Sequence, residues 1–250
     1  ASLPSNSASK QVALGPNGVL AGAKSGDIYI ELSTVSPEVI HIIARQAAEK
    51  GVAVLDAPVS GGLDQRQEGT LSIMAGGDAK TVAKAMPVFK AFGDKVFHAG
   101  GSGAGATVKL INNMLAGINM VATMEALVLG VKAGLSVQTL KEVISASSGN
   151  NKQFEGLVDT ISTRSPEPPH GQTANQGLHT IGKDVRLANE MAQNLSVPVS
   201  LGSTALQPFL AGLANDWGNK EYWVIMEFFE QMSGVRVRPP ELTDLEEIKT

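Results

Sequence analysis

The pattern of apolar and polar positions divides the chain near residue 104. Before this point, short runs of apolar and β-branched residues alternate with amphipathic stretches of helical periodicity. Strands that alternate with helices are typical of a parallel sheet with helices on its faces. Residues 1–103 are therefore predicted to form an α/β domain. Its strands are predicted at 27–32, 52–55, 71–75 and 95–98, and its helices at 37–50 and 79–92.

Beyond residue 104 the strand pattern disappears. Residues 104–134 predict a single helix that is far longer than average. Because this helix is apolar around most of its circumference, we expect it to be buried among other helices. Residues 104–234 are therefore predicted to form an all-α domain, followed by a polar tail at 235–250. The further helices are predicted at 137–146, 154–162, 180–194, 199–213 and 220–232.

The composition argues against several kinds of partner and site. The 250 residues carry a formal net charge of −4 and the basic residues are scattered, so nothing indicates a nucleic-acid-binding face. The absence of cysteine from the sequence excludes disulfides and thiolate metal sites, and it fits a reducing compartment. The four histidines lack the spacing of metal ligands. We therefore expect neither a metal ion nor nucleic acid as a partner.

Membrane and export segments are not indicated by the sequence. The first residues lack the basic and apolar regions of a signal peptide. The richest apolar stretch, 104–133, is interrupted by polar and charged residues such as Lys109 and Glu125, so we do not expect it to span a bilayer. The expected location is the cytoplasm, or the mitochondrial matrix if the cell is eukaryotic.

A Gly-rich segment, Asp56–Gly62, follows the predicted strand 52–55. In open α/β sheets, ligands bind beyond the carboxyl ends of the strands. Ser60 offers a hydroxyl group at this point, and Gly61 and Gly62 offer backbone N–H groups that a ligand can approach closely. These groups suit a carboxylate or a phosphate. From the spacing alone, a plain Gly-rich turn is about equally consistent with the sequence.

A second Gly-rich segment precedes the long helix. Gly101, Gly103 and Ala106 match the dinucleotide-binding pattern GxGxxA. We do not interpret them as such a site, because the helix that follows is the long buried one and no strand returns after it to complete a βαβ unit. The glycines are interpreted instead as allowing the long helix to begin close to the sheet.

Lys109 and Asn113 lie four residues apart and hence on one face of the long helix, within its first turns. Burial and the positive helix end would both disfavour the ammonium form and lower the pKa of a lysine there, as a general acid/base near neutral pH requires. The alternative is a lysine whose amine reaches the surface. Asn113 is a candidate to orient the amine or to bind substrate.

The adjacent pair Lys183 and Asp184 is a weaker signal of a functional site than Lys109 and Asn113, since adjacent opposite charges usually lie on a solvated helix face.

Taken together, these residues resemble the β-hydroxyacid dehydrogenases, the family of 3-hydroxyisobutyrate dehydrogenase, tartronate semialdehyde reductase and glyoxylate reductase. The resemblance implies an incomplete Rossmann-type, doubly wound domain followed by an all-α domain. It also implies hydride transfer between NAD or NADP and a small 3-hydroxy acid or its semialdehyde. The matching segments occur in family order at 2–4, 33–35, 56–62, 103–113 and 183–184.

The resemblance also implies a role for each matched residue. Lys109 would be the catalytic proton donor or acceptor. The substrate carboxylate would be held by Ser60, Gly61 and Gly62, and Asn113 would help to bind the substrate. The cofactor site would be formed by Leu3, Pro4, Thr34, Lys183 and Asp184, with Lys183 closing over the cofactor or substrate and Asp184 positioning nearby groups.

Two departures from the family pattern affect what the resemblance implies. Gln176 stands where relatives often carry Phe, which changes the shape of the expected substrate pocket. The family begins with a strand, a GxGxxG turn and a helix, then a second strand and helix, in all about sixty residues, and this sequence does not contain them. That segment supplies the pyrophosphate cradle and the residue that separates NAD from NADP.

Other functions are therefore weighed beside the dehydrogenase. One alternative is a catalytically inactive, dehydrogenase-like scaffold or binding module, although the presence of Lys109 favours an enzyme. Another is an isomerase or lyase that uses Lys109 as a base without hydride transfer. A homo-dimer or homo-tetramer is expected, because the long helix and the aromatic-rich last helix present more apolar surface than a small helical domain covers.

Overall fold

The computed structural model describes residues 1–163, 165–166 and 177–237, which divide into two compact units, Ala1–Asn113 and Met114–Thr250. Gln176 and the tail from residue 238 lie outside the described residues. In the first unit the strands are β1 (Ile28–Glu31), β2 (Ala53–Asp56), β3 (Val59–Ser60), β4 (Leu71–Gly76) and β5 (Gly93–Gly100), and the helices are α1 (Asn6–Leu14), α2 (Val19–Gly22), α3 (Pro37–Ala48), α4 (Leu63–Glu68) and α5 (Ala79–Phe89).

The long helix α6 (Ala104–Lys132) begins in the first unit and continues into the second. The second unit is helical, and within its described residues the only β-type pairing is an isolated bridge between Gly177 and Glu221. Its remaining elements are α7 (Val137–Ser145), α8 (Lys152–Thr163), α9 (Leu178–Asn194), α10 (Ser200–Ala214), the 3₁₀ turns Trp217–Asn219 and Tyr222–Ile225, and α11 (Met226–Ser233).

The predicted fold class, an α/β domain followed by an all-α domain, is confirmed. The four predicted strands and the helices α3 and α5–α10 form near the predicted positions, because each carries its own periodicity or cap. Asp78, for example, caps α5 by accepting a hydrogen bond from the Thr81 amide at 2.9 Å. Four elements, α1, α2, β3 and α4, are not predicted from the sequence. The last three have six residues or fewer and show no period, whereas α1 has nine residues and the Ser5 cap as a local signal.

The predicted helix at 220–232 is wrong in its first part. A 3₁₀ turn occupies Tyr222–Ile225, and only Met226–Ser233 is α-helical. The amide of Leu178 donates to the carbonyl of Lys220 at 2.9 Å, and Gly177 pairs with Glu221. These contacts hold the chain extended at Lys220 and Glu221, so an α-helix cannot start there.

The five-stranded sheet is mixed rather than wholly parallel. β1 and β2 are parallel, and so are β4 and β5, but β4 runs antiparallel to both β2 and β3. A parallel neighbour needs a crossover of about a dozen residues or more. The connection 61–70 between β3 and β4 is short and carries only α4, so it returns the chain antiparallel.

Each face of the sheet is covered by helices, as in a doubly wound domain. On one face, Tyr29 of β1 packs with Ala13 of α1 and Ile40 of α3. On the other, Leu55 of β2 and Ile73 of β4 pack with Phe89 of α5. The edge of the sheet at which β1 and β2 end is therefore held by a core on each side.

The core of the second unit forms around the later turns of α6. Met124 and Leu127 of α6 are fully buried there and belong to one cluster with Leu157, Phe209 and Trp223. By length and composition α6 could cross a membrane, contrary to the expectation from the sequence, but one such helix is weak evidence. A core helix meets the same criteria, and the buried residues of α6 fit that interpretation.

Candidate active site

The carboxyl end of β2 is bonded to the amino end of α6 through Asp56. The Asp56 carboxylate is 1% exposed, and it accepts hydrogen bonds from the backbone amides of Gly103 and Ala106, each at 2.8 Å. Burial raises the pKa of Asp56, and the amides that donate to it act in the opposite direction. The first amides of α6, which lack partners within the helix, are therefore satisfied by a side chain of the sheet.

Two glycines allow this close approach of helix and sheet. A Cβ atom added to Gly105 would overlap the carbonyl oxygen of Met74 and lie 2.6 Å from that of Asp56. A Cβ added to Gly76 would lie 2.5 Å from the Asp56 carboxylate. Within the second Gly-rich segment, Gly105 lets α6 begin near the sheet, whereas nothing lies within 4 Å of a Cβ added to Gly101. The amino end of α6 holds Asp56, so the GxGxxA match does not form a phosphate site.

Lys109 lies one helical turn beyond Ala106, in the part of α6 that Asp56 anchors. It is 8% exposed, so nearly all of the residue is buried. Asn113 is half-buried, and its side-chain oxygen accepts a hydrogen bond from Asn112 at 2.9 Å. The first unit therefore contains a buried lysine whose helix is fixed to the carboxyl end of a strand.

The residues Ser60, Gly61 and Gly62 form neither a plain turn nor an open loop. Ser60 pairs with Ser72 in the antiparallel contact of β3 with β4. Gly62 caps α4, and its N–H donates to the side-chain oxygen of Gln65 at 2.9 Å. All three residues are half-exposed, which leaves part of each within reach of a ligand.

The residues predicted to form the cofactor site, Leu3, Pro4 and Thr34, lie on two adjacent segments at the carboxyl end of β1. The amide of Leu32 donates to the carbonyl of Ala1 at 2.7 Å, and the amide of Leu3 donates to the Ser33 hydroxyl at 2.6 Å. Pro4 is exposed, and Leu3 and Thr34 are half-buried. The structure therefore brings these residues together although about thirty positions separate them.

A buried carboxylate that the sequence did not identify lies beneath these segments. Glu31, the last residue of β1, is 0% exposed and accepts hydrogen bonds from the Tyr29 hydroxyl at 2.8 Å, from the Ser33 amide at 3.0 Å and from the Ser33 hydroxyl. Burial and the neighbouring Glu31 raise the pKa of Tyr29. The only sequence signal is the position of Glu31, two residues after Tyr29 and hence on the same buried face of the strand.

In the second unit, Lys183 and Asp184 of α9 form an ion pair with an Nζ–Oδ1 distance of 2.7 Å. The expectation of a solvated pair is wrong, because the side chains are 18% and 4% exposed. The next residue, Val185, packs against Gly117 of α6, where a Cβ atom would lie 2.6 Å from the valine Cγ2. α9 therefore packs against α6 at the residue that follows the charged pair.

Comparison with known proteins places the chain among dehydrogenases. Residues 1–101 match the NAD binding domain of 6-phosphogluconate dehydrogenase, and residues 103–227 match the NAD-binding domain of NADP-dependent 3-hydroxyisobutyrate dehydrogenase. A 2-(hydroxymethyl)glutarate dehydrogenase of Eubacterium barkeri is 38% identical over 94% of this chain and 77% of its own length. The chain belongs to the β-hydroxyacid dehydrogenase family.

Other members of the β-hydroxyacid dehydrogenase family show the same relationship. An NAD-dependent L-serine dehydrogenase of Pseudomonas aeruginosa is 35% identical over 93% of this chain and 78% of its own length. The crystal structure of the 3-hydroxyisobutyrate dehydrogenase of Salmonella typhimurium is 27% identical and superposes with a TM-score of 0.77, covering 91% of this chain and 77% of that one. The Mycobacterium tuberculosis 3-hydroxyisobutyrate dehydrogenase with L-serine is 30% identical with a TM-score of 0.79, covering 90% of this chain and 77% of that one.

Membership of the β-hydroxyacid dehydrogenases confirms the predictions of an oxidoreductase and of NAD or NADP as its cofactor. It supports the dehydrogenase rather than the inactive scaffold. No cluster of side chains that could hold a metal ion occurs in the part of the chain that the structure describes. The roles of the individual site residues remain predictions.

The residues at the carboxyl end of β1 fit a nicotinamide dinucleotide. Leu3 and Pro4 offer apolar surface and Thr34 offers a hydroxyl group, at the edge of the sheet where ligands of open α/β folds bind. The segments that carry them are tied to each other by the bond from Leu3 to Ser33. Leu3, Pro4 and Thr34 could therefore hold part of the cofactor.

Proposed function

We propose that this β-hydroxyacid dehydrogenase transfers a hydride between NAD or NADP and a small 3-hydroxy acid or its semialdehyde, with Lys109 as the general acid/base. The observation that carries the proposal is the burial of Lys109 on a helix anchored to the sheet by Asp56. A buried amine that exchanges protons is suited to acid/base catalysis, whereas a solvated surface lysine is not.

The relatives suggest the chemical class of the substrate. Their names include 2-(hydroxymethyl)glutarate, L-serine and 3-hydroxyisobutyrate dehydrogenases. Each of these compounds has a carboxylate whose α-carbon carries a CH₂OH group. We propose that this chain also acts on acids of this kind or on the corresponding semialdehydes, including tartronate semialdehyde. Glyoxylate-like aldehydes, in which the aldehyde carbon is bonded directly to the carboxylate, are a further proposed substrate type.

The roles of the chain's own groups follow from this substrate class. The bound nicotinamide supplies or accepts the hydride. Lys109 gives a proton to the carbonyl oxygen during reduction and removes it from the hydroxyl group during oxidation. Asn113, on the same face of α6, contacts the substrate. These two residues share one rigid helix, so the proton donor and the substrate contact keep a fixed spacing.

The substrate carboxylate is assigned to Ser60, Gly61 and Gly62. The Ser60 hydroxyl and the Gly61 amide are the principal donors in this proposal. The Gly62 amide already donates to Gln65, so it contributes only when that side chain rotates away. A carboxylate held by hydroxyl and amide groups, without an arginine, accommodates a small acid of low charge.

Lys183 and Asp184 are assigned to binding in the second unit. Asp184 is buried and bonded to Lys183, so it orients the amine of Lys183. We propose that Lys183 closes over the cofactor or the substrate. Asp184, on the same helix, holds the amine, which keeps it in place before a ligand arrives.

The proposed function is tested with the full-length natural protein, NADH or NADPH, and a panel of semialdehydes and hydroxy acids. We expect a substrate-dependent change in nicotinamide absorbance in both reaction directions. Ser60→Ala is expected to raise the KM for the acid by up to about tenfold with little change in kcat, because it removes one hydrogen bond to the carboxylate. Turnover of the acid without a change in nicotinamide absorbance would point to the isomerase or lyase instead.

We also propose that the enzyme is a homo-dimer or homo-tetramer that associates through α6. One face of α6 exposes apolar side chains, with Val108, Leu115 and Leu129 exposed by 41%, 57% and 70%. These residues recur at multiples of seven and hence lie along one stripe, which a two-fold axis can place against its own copy. The last helix contributes less than expected, because Trp223 is buried in the core and Phe229 packs against it.

Leu129→Asp is expected to shift the protein to smaller assemblies, because it places a charge in the apolar stripe. Light scattering of the purified protein measures the change. Leu201→Asp on α10 is the matched control, since Leu201 is also 70% exposed but lies outside α6. Equal masses for the wild type and Leu129→Asp would contradict association through this stripe.

For the location of the protein in the cell we propose the cytoplasm, or the mitochondrial matrix in a eukaryote.

A further inference from the structure

We propose that Glu31 is a positioning residue that holds the two cofactor-side segments, residues 1–5 and 32–36, in the conformation that binds the nicotinamide cofactor. This inference rests on the proposed function, because it assumes that the cofactor contacts Leu3, Pro4 and Thr34. Glu31 itself is fully buried. It therefore acts through Ser33 and has no direct contact with the ligand.

The hydrogen bonds of Glu31 have a fixed direction. The Ser33 hydroxyl has a single proton, and it donates this proton to Oε1 of Glu31. The lone pairs of the same hydroxyl then face outward and accept the amide of Leu3 at 2.6 Å. The carboxylate thus determines which way Ser33 points and, through Ser33, where the backbone of Leu3 lies.

Glu31 acts on the second segment as well. Its Oε1 accepts the backbone amide of Ser33 at 3.0 Å, which fixes the chain one residue before Thr34. Farther along, the side-chain oxygen of Asn6 accepts the amide of Ser36 at 3.0 Å. The two segments are therefore joined at both ends, and Glu31 lies under the end that carries Leu3 and Thr34.

Stability alone is a poor explanation for a carboxylate at this position. Burying a charged group is costly, and apolar residues at such sites are often as stable or more so. Among the residues that the structure describes, no ion pair with Glu31 offsets this cost. Neutral donors from Tyr29 and Ser33 are its partners. A carboxylate at this position is best explained by the geometry that it imposes on Ser33.

The test compares variants that remove different hydrogen bonds of the same carboxylate. Glu31→Leu removes all of them, and Ser33→Ala removes the bond that reaches Leu3. Tyr29→Phe is the matched control, because it removes a bond to Glu31 but leaves Ser33 and Leu3 joined. Ser33→Thr keeps the hydroxyl and is the conservative rescue.

The measurement is the dissociation constant of NADH and of NADPH, from equilibrium fluorescence titration of the full-length protein without substrate, together with the melting temperature of each free variant. We expect Glu31→Leu and Ser33→Ala to weaken binding of the preferred cofactor about tenfold, with no further loss when they are combined. The dissociation constants of Tyr29→Phe and Ser33→Thr for the cofactor are expected to stay within about twofold of the wild-type value.

Wild-type affinity in Ser33→Ala overturns the inference, even if Glu31→Leu fails to fold. A loss in Tyr29→Phe as large as that in Glu31→Leu also overturns it, because the effect would then follow general loosening of the core. If the wild type binds neither cofactor, the proposed function itself fails. If the wild type and all variants bind the cofactor equally well, only the role of Glu31 fails.

Discussion

Lys109→Ala is expected to lower kcat by roughly 10²- to 10⁴-fold, the usual contribution of a positioned general acid/base. The side chain is 8% exposed and lies in the part of α6 that Asp56 fixes to the sheet. No other lysine of the first unit lies on this helix, so a neighbouring amine cannot easily replace it. The dissociation constant of the cofactor should change little, because Lys109 is assigned to the proton and not to cofactor binding.

The matched control for this prediction is Lys132→Ala. Lys132 belongs to the same helix, but it is exposed and its amine donates to the carbonyl of Ser233 at 2.9 Å. Its removal should leave kcat near the wild-type value. Steady-state kinetics in both directions measure the two variants. Unchanged turnover in Lys109→Ala, with cofactor still bound, would falsify the assignment of Lys109 as the acid/base.

Gly105→Ala is expected to destabilise the first unit by about 3 kcal/mol or more. The added methyl group would overlap the carbonyl oxygen of Met74 and approach that of Asp56 to 2.6 Å. Both are backbone atoms of the sheet and cannot rotate away. Relief requires α6 to move outward, which would break the bonds from Gly103 and Ala106 to Asp56 and leave a buried carboxylate without donors.

Gly156→Ala provides the matched control for this substitution. Gly156 lies inside α8, and nothing is within 4 Å of the position where its Cβ would be. Because alanine is the better helix former, this variant is expected to gain about 0.5–1 kcal/mol. Urea unfolding followed by far-UV circular dichroism gives the midpoint of each variant. A Gly105→Ala midpoint equal to that of the wild type would show that helix and sheet are not in such close contact.

The Lys109 and Gly105 predictions also separate chemistry from architecture. Lys109→Ala removes a functional group without displacing α6, so it should lower kcat much more than it lowers the unfolding midpoint. Gly105→Ala keeps every functional group but displaces the helix that carries Lys109, so it should lower both stability and kcat. If a Gly105 variant has a lower urea unfolding midpoint but retains full turnover at low temperature, the position of the helix does not govern catalysis.

The sequence determined those features that depend on neighbouring residues. Short runs of apolar and β-branched residues located β1, β2 and β4, the period of 3.6 residues located α3 and α5, and a long apolar stretch without strand signals located α6. The spacing of Lys109 and Asn113 placed them on one helical face, since four residues make about one turn. The Ser60–Gly62 motif and the family resemblance added their proposed roles.

The tertiary structure alone decided the contacts between distant parts of the chain. Asp56 caps a helix that begins about fifty residues later, and Leu3 is bonded to Ser33 thirty residues away. The antiparallel direction of β4 and the burial of Glu31 and Asp184 also depend on how the elements pack. Local periodicity shows which face of an element is buried, but the partner buried against it depends on the path of the chain, and no local pattern encodes that path.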